Sequence, residues 1–248
     1  MGRLKLLREE FGSLPLTSIT ARHVDAYLAR RRDQDGITAA SANRYLSALK
    51  TMMKMAVQWG YLAFHPLERI KTLKEEHKIP EGLHDDELES LLQHLPDYAW
   101  RLAVWAADTG MRKSEMERMT WDDIDWRNRS VKVKETKNHS ERIIPLTERV
   151  YGLATAMRQE MAESEEKRLS VLPVKEIRKS LITAAKKADL GHVHFHMLRH
   201  SFATRLLDKG VPIQQVQYLM GHKTIVMTQR YDHARPERYR DAIAALEQ

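Results

Sequence analysis

A chain of 248 residues, 42% of them hydrophobic, can bury a core sufficient for one large domain or two unequal ones, which excludes a disordered polypeptide. The absence of cysteine excludes disulfides, thiolate zinc sites and cysteine nucleophiles together. A net charge of +7 points to a polyanionic partner, while no apolar run approaches the roughly 20 residues of a membrane span and no signal-peptide pattern opens the chain, so the cytoplasm is the expected compartment.

The charge is concentrated. Residues 1–79 hold fourteen Lys and Arg against eight Asp and Glu, so +6 of the +7 lies in the first third, including Arg30, Arg31 and Arg32. That segment predicts two helices. Thr20 is an N-cap candidate followed by apolar Val24, Tyr27 and Leu28. After Gly36 a second helix runs from Thr38 to Trp59, with a stripe of Ala42, Tyr45, Leu46, Leu49, Met52, Met53, Ala56 and Val57, and Gly60 as its stop. Its other face presents Asn43, Arg44, Lys50 and Lys54, a candidate nucleic-acid surface. The polar stretch 72–83, with Pro80 and Gly82, reads as a linker. The expected division is a helical domain over 1–74, a linker over 75–83 and a second domain over 84–248.

Beyond the linker, D-D-E-L-E-S-L-L and L-A-V-W-A-A-D-T-G continue helical. Around Trp121 the period changes, and I-D-W, S-V-K-V-K and R-I-I-P-L predict three short strands. From Tyr151 the pattern is helical again. The fold class expected is mainly α with a small antiparallel β-sheet, an α+β arrangement.

Two clusters invite a metal reading. H-V-H-F-H-M-L-R-H, from His192 to His200, puts His196 and His200 four apart on one helix face. The Glu that a zinc protease carries directly after its first His is replaced by Met197, no third ligand follows, and Arg199 would sit beside the cation. An arginine among histidines better suits a phosphate oxyanion. The acidic run with Asp122, Asp123 and Asp125 could hold a divalent ion for nuclease chemistry, but reads as a helix-to-strand turn with solvated carboxylates. No metal site is expected.

Three further segments complete a pattern. T-G-M-R-K-S-E at 109–115 breaks a helix at Gly110 and starts another at Arg112, with Glu115 one turn on. E-T-K-N-H-S-E-R-I-I-P-L presents Lys137 at a hairpin tip, and L-M-G-H-K-T-I-V-M-T-Q-R-Y-D-H sets His222 nine residues before Tyr231. With H-M-L-R-H these resemble, in the same order and over essentially all of 84–240, the tyrosine recombinases or phage integrase family. The preceding helices resemble that family's core-binding domain.

The resemblance implies an enzyme that cleaves and rejoins DNA strands through a covalent 3′-phosphotyrosine, with Tyr231 as nucleophile and no cofactor. A covalent intermediate retains the phosphodiester energy, so such chemistry needs no high-energy donor. It further implies that Arg112 and Arg199 stabilise the non-bridging oxygens, that Lys137 protonates the leaving 5′ oxygen, and that His196 and His222 contact the phosphate and help manage the tyrosine proton. Glu115 orients these groups. His192, His194, His200 and His233 are assigned to packing or backbone hydrogen bonds, Tyr45 and Tyr218 to core, and Tyr239 is set aside for its distance from Gly221 and His222.

Implied partners are double-stranded DNA, further copies of the chain in a tetramer on paired sites, and accessory DNA-bending proteins at the nucleoid. The tail after Tyr231, with Pro236 opening a helix and Ile243, Ala244 and Leu246 as its stripe, is expected to dock on a neighbouring protomer. Many members carry an additional N-terminal arm-binding domain for which this chain leaves no room, so a minimal or trimmed recombinase is expected. His65 in F-H-P-L replaces a frequent Asn. The alternatives are a type IB topoisomerase-like relaxing enzyme, which shares the Arg/Lys/Arg/His/Tyr chemistry, a metal-dependent nuclease and a catalytically silent DNA-binding protein.

Overall fold

The computed structural model describes residues 2–75, 82–134, 141–164, 169–172 and 176–231. It divides into two units, Met1–Lys78 and Ile79–Gln248.

The first unit is helical. Helix α1 (Arg3–Phe11), for which the sequence pattern gave no signal, contributes Leu7 and Phe11 to the core. Helix α2 (Ala21–Asp35) starts where the Thr20 hydroxyl accepts from the His23 N–H and ends at left-handed Gly36. Helix α3 (Ala39–Gln58) starts at Thr38, whose hydroxyl accepts from Ser41 N–H at 3.2 Å. The core joins Leu7, Phe11, Val24, Tyr27, Tyr45, Leu46, Leu49 and Met53, with Phe11 and Tyr45 both edge-on to Tyr27. Met52, expected in the buried stripe, is 40% exposed, because it lies at the stripe's edge.

Two expected surface residues of α3 are not presented outward. Asn43 is buried, and its amide bonds Leu73 O at 2.9 Å, Glu75 Oε1 at 2.6 Å and Leu73 N–H at 2.8 Å. Lys50 donates from Nζ to the carbonyls of Glu68 and Ile70. The segment after α3 folds back over this flank and takes both side chains as anchors. Arg44 and Lys54 are exposed.

In the second unit, helix α4 (Asp85–Gln93) precedes α5 (Asp97–Thr109), every residue of which is buried from Leu102 to Thr109. A helix that apolar on all sides must be covered on all sides, and α4, α7 (Glu148–Glu163) and α9 (Phe195–Asp208) pack against it. The one charge in that stretch, Asp108, accepts from Arg149 of α7 at 2.8 and 2.9 Å and from Arg205 of α9 at 3.1 Å. The core's buried carboxylate therefore ties three helices together.

Short α6 (Lys113–Met116) leads into an antiparallel sheet in the order β1 (Ile124–Asp125), β2 (Ser130–Lys134), β3 (Glu141–Pro145). The three strands fall on the three stretches expected. Val131 pairs with Ile144 and Val133 with Arg142, so Arg142 shares the inward face of β3 with Ile144 while Ile143 is 54% exposed. Helices α8 (Arg178–Lys187), α10 (Ile213–Met220) and α11 (Ile225–Gln229) complete the described elements. Tyr218, expected in the core, is 54% exposed, and its hydroxyl accepts from Ile143 N–H at 3.2 Å.

The acidic turn departs from expectation in one residue. Asp123 is buried rather than solvated, accepting from Thr120 N–H and hydroxyl at 2.9 Å and from Lys134 Nζ at 2.7 Å. Asp125 is exposed and receives the backbone N–H of Arg127 and Asn128. Among the described residues no group of His, Asp and Glu is arranged to hold a metal ion.

Candidate active site

Two helix C-termini and one helix face build the site. Helix α5 ends at Gly110, whose φ of +62° is a left-handed turn; a Cβ there would collide with the Phe202 ring. Helix α10 ends the same way at Gly221, φ +61°, where a Cβ would stand 2.7 Å from the Arg142 guanidinium. Both turns aim carbonyls at arginines. Arg199 donates to Gly110 O and Met220 O, and Arg112 Nη2 donates to Gly221 O at 2.8 Å. Orphan carbonyls at a helix C-terminus carry partial negative charge, so they can seat a guanidinium without neutralising it.

Arg112 is also the N-cap of α6, and Glu115 at the third helical position accepts its backbone N–H at 2.7 Å and its Nη1 at 2.7 Å. From the sheet side, Arg142 reaches the same carboxylate through Nη1 at 3.1 Å and Nη2 at 2.7 Å, and its Nε donates to Leu219 O at 2.9 Å. Glu115 is 5% and Arg142 6% exposed, so this is a buried, bidentate pair. Burial alone would raise the Glu115 carboxyl, but Arg142 and Arg112 hold it down to about 2. The carboxylate thus locks strand β3, helix α6 and the end of α10 around one point.

Helix α9 supplies three side chains on one face. Its N-cap His194 accepts the Met197 N–H at 3.1 Å, the backbone role expected of it. His196 is exposed at the site, Arg199 is 2% exposed, and His200 lies one turn beyond His196 with ring centroids 4.4 Å apart. Burial, together with the charges of Arg112 and Arg142, lowers the Arg199 guanidinium to about 9. A site that strains a guanidinium in this way carries a positive field, and an incoming anion relieves it.

The turn after α10 and helix α11 bring the last pair. His222 Nδ1 lies 2.9 Å from the hydroxyl of fully buried Thr228, and the His222 ring runs nearly parallel to that of Tyr231, 6.1 Å between centroids. Tyr231 is 7% exposed and packs with Phe202, Ala203, Leu207, Val216 and Met220. Its hydroxyl stands 2.6 Å from His200 Nδ1. Burial raises the Tyr231 phenol, against the pull of Arg199 and Arg230. Burial and the neighbouring guanidiniums lower His222 to about 4; burial, His196, His194 and Arg199 lower His200 to about 3. At neutral pH His200 and His222 are therefore uncharged, the phenol keeps its proton, and the arginines supply the positive charge.

Arg112, Glu115, His196, Arg199, His222 and Tyr231, drawn from three segments spread over 120 residues, thus meet in one place. Lys137, His233, Tyr239 and the tail at 237–248 lie outside the described residues. Two side chains escaped the sequence reading. Arg142 left a usable signal: alternation along R-I-I-P-L puts it on the buried face, where a charge demands a partner. His200, assigned to packing or backbone bonding, is instead the neighbour of the tyrosine hydroxyl, a contact made across 31 residues that no local pattern encodes.

Residues 81–238 match the family model described as the phage integrase family, and residues 2–60 match that of the phage integrase N-terminal SAM-like domain. The chain is 27% identical over 256 residues to the tyrosine recombinase XerC of Oceanobacillus iheyensis, covering 95% of this chain and 83% of the relative. Its fold is similar to that of the Tn1549 transposon integrase in complex with a circular intermediate DNA, with TM-score 0.76 and 21% identity over 98% of this chain and 91% of that one. It is also similar to a lambda integrase tetramer bound to a Holliday junction, with TM-score 0.72 and 23% identity over 92% and 69% of the two chains.

Proposed function

The chain belongs to the phage integrase family, it is a site-specific tyrosine recombinase, and we propose that its strand exchange runs on the residues gathered around Tyr231. The observation that carries this reading is the convergence of two buried or half-buried guanidiniums and three histidines on one buried tyrosine.

In this reading the scissile phosphate lies between Arg112 and Arg199, whose guanidiniums meet the charge that gathers on its non-bridging oxygens in the transition state. Because carbonyls rather than carboxylates seat Arg199, its full charge is directed to the phosphate. Glu115 and Arg142 hold Arg112 in place, so that little reorganisation is needed when DNA arrives. His196 and His222 donate hydrogen bonds to the phosphate. Tyr231 attacks phosphorus and takes the 3′ phosphate, and the 5′ oxygen leaves with a proton from Lys137. Supporting that last role, the two other lysines of the hairpin are engaged: Lys132 pairs with Glu141 and Lys134 with Asp123.

The first unit would hold the duplex, with exposed Arg44 and Lys54 on phosphates, at the nucleoid within the cytoplasm. No described helix is long and apolar enough to cross a membrane. The lambda integrase neighbour is a tetramer on a Holliday junction, and we assign the same kind of assembly to this chain, with residues 237–248 linking protomers.

The test is incubation of the purified protein with supercoiled DNA in EDTA, followed by denaturing electrophoresis. A protein–DNA adduct formed without metal supports tyrosine chemistry. Relaxation of any DNA regardless of sequence would favour a topoisomerase, and strand breaks without adduct would overturn the reading.

A further inference from the structure

The reaction needs a group to receive the phenol proton, and resemblance suggested His196 and His222 for that duty. Neither is placed on the hydroxyl. His222 is engaged through Nδ1 with Thr228 Oγ1 and lies parallel to the Tyr231 ring. His196 stands further out, its ring against the edge of His200. His200 alone among the described side chains has an atom within hydrogen-bonding distance of the hydroxyl, Nδ1 at 2.6 Å. We propose that His200 is a catalytic residue of this enzyme, the base that accepts the Tyr231 proton during cleavage and returns it during rejoining. The proposal rests on Tyr231 being the nucleophile.

In the resting pair the hydroxyl donates to a neutral imidazole whose Nδ1 is the acceptor. As the phenolic oxygen bonds to phosphorus, its proton passes to Nδ1 and His200 becomes imidazolium, while the P–O5′ bond breaks and the 5′ oxygen takes a proton from the separate acid. In rejoining, the 5′ hydroxyl attacks and returns its proton to the separate acid, the phosphotyrosine bond breaks, and His200 gives its proton back to the tyrosine oxygen.

The surroundings make this transfer conditional on DNA. His200 faces His194 and His196 from its own helix end, Arg199 from the next position, His222 from the turn after α10, and Tyr231 after α11. Burial and those neighbours keep the imidazole neutral and a weak base in the free enzyme, and burial keeps the phenol protonated. A phosphodiester seated on Arg112 and Arg199 brings negative charge into the same space, which favours the imidazolium. The nucleophile therefore stays protonated until the phosphate is present, which protects it from idle reaction.

The test uses the full chain and a duplex selected from a random-sequence DNA pool by affinity for the Tyr231→Phe variant. Once the wild-type adduct has located the cleaved bond, the duplex is made with oxygen or with sulfur as the bridging 5′ atom. A sulfur leaving group needs no protonation, so it rescues defects in the acid but not in the base. His200→Ala and His200→Asn are compared with wild type for binding, near-ultraviolet circular dichroism and adduct formation. Asn keeps an acceptor oxygen near the place of Nδ1 without being able to take the proton, and it carries the test should the Ala variant misfold. Both variants are expected to bind normally and to form adduct about 100-fold or more slowly on either substrate. Rates within about threefold of wild type, full activity of the Asn variant, or rescue by sulfur would each overturn the role of base. Adduct at the wild-type level in Tyr231→Phe would instead remove the nucleophile assignment beneath it, a result separable from all of these.

Discussion

Replacing Glu115 by Gln should cost the second unit about 3 kcal/mol of stability at pH 7, a figure reached in two ways. The carboxyl sits at about 2 in the folded chain against an ordinary 4.5, and such a lowering corresponds to about 3 kcal/mol. Independently, removing one partner of a buried ion pair typically costs about 3–5 kcal/mol, because the survivor is left charged in a poor solvent; here the survivor is Arg142, 6% exposed. The folded value lies below the unfolded one, so this stabilisation is fully present above the unfolded pKa and is lost as pH falls through the folded value. Wild type should therefore shed it between about pH 5 and pH 2, and the Gln variant should lack that part of the decline. Urea unfolding followed by near-ultraviolet circular dichroism reports mainly on this unit, since four of the five tryptophans (Trp100, Trp105, Trp121 and Trp126) lie within it and the fifth, Trp59 of the first unit, is 64% exposed. A loss below about 1 kcal/mol at pH 7, or wild-type and Gln curves that stay parallel down to pH 2, would refute the claim that this carboxylate is the ionic centre of the site.

Three further outcomes are expected. Gly221→Ala adds strain at a positive φ and pushes on the Arg142 guanidinium, so it should lower stability by about 2 kcal/mol and slow adduct formation, measured by thermal melting and single-turnover cleavage. Changing Arg44 and Lys54 together to Ala should flatten the plot of log affinity against log salt by about 1.8, roughly two phosphate contacts, whereas Lys50→Ala should leave the slope unchanged and destabilise the first unit by about 1 kcal/mol. Deleting residues 237–248 should preserve binding to a single site and abolish higher assemblies on paired sites in native gels.

Legibility varied with the range of the interactions. Helix α3 could be read because its start, stripe and stop are local: Thr38 caps it, apolar residues recur at helical spacing, and Gly60 follows. The strands could be read because the period changes abruptly at Trp121. Asn43 and Lys50 lie roughly a third of a turn from the centre of the buried stripe, a flank that is exposed only if nothing folds over it. The aperiodic residues 68–75 do fold over it, and their pattern gives no warning. In the site, Arg112 and Glu115 were visible as a local helix start, and the segments carrying Arg199, His222 and Tyr231 as motifs in a fixed order. The contacts among them were not visible, because Arg199 to Gly110 and Tyr231 to His200 depend on how α5, α9 and α10 pack. Arg142 stood in between, legible from strand alternation but without its partner named.

If Tyr231 carries the severed DNA strand, identifying the amino acid linked to DNA will show it. Wild-type protein is incubated in EDTA with the selected duplex, labelled separately at each strand end, then digested with trypsin, and the peptide bearing nucleotide is sequenced by mass spectrometry. The expected product carries nucleotide on a single residue, Tyr231, joined to a 3′ phosphate, with a free 5′ hydroxyl on the released strand and no adduct from Tyr231→Phe. Nucleotide on Tyr239 or any other residue, linkage through a 5′ phosphate, or adduct formation only after addition of a divalent metal would contradict it.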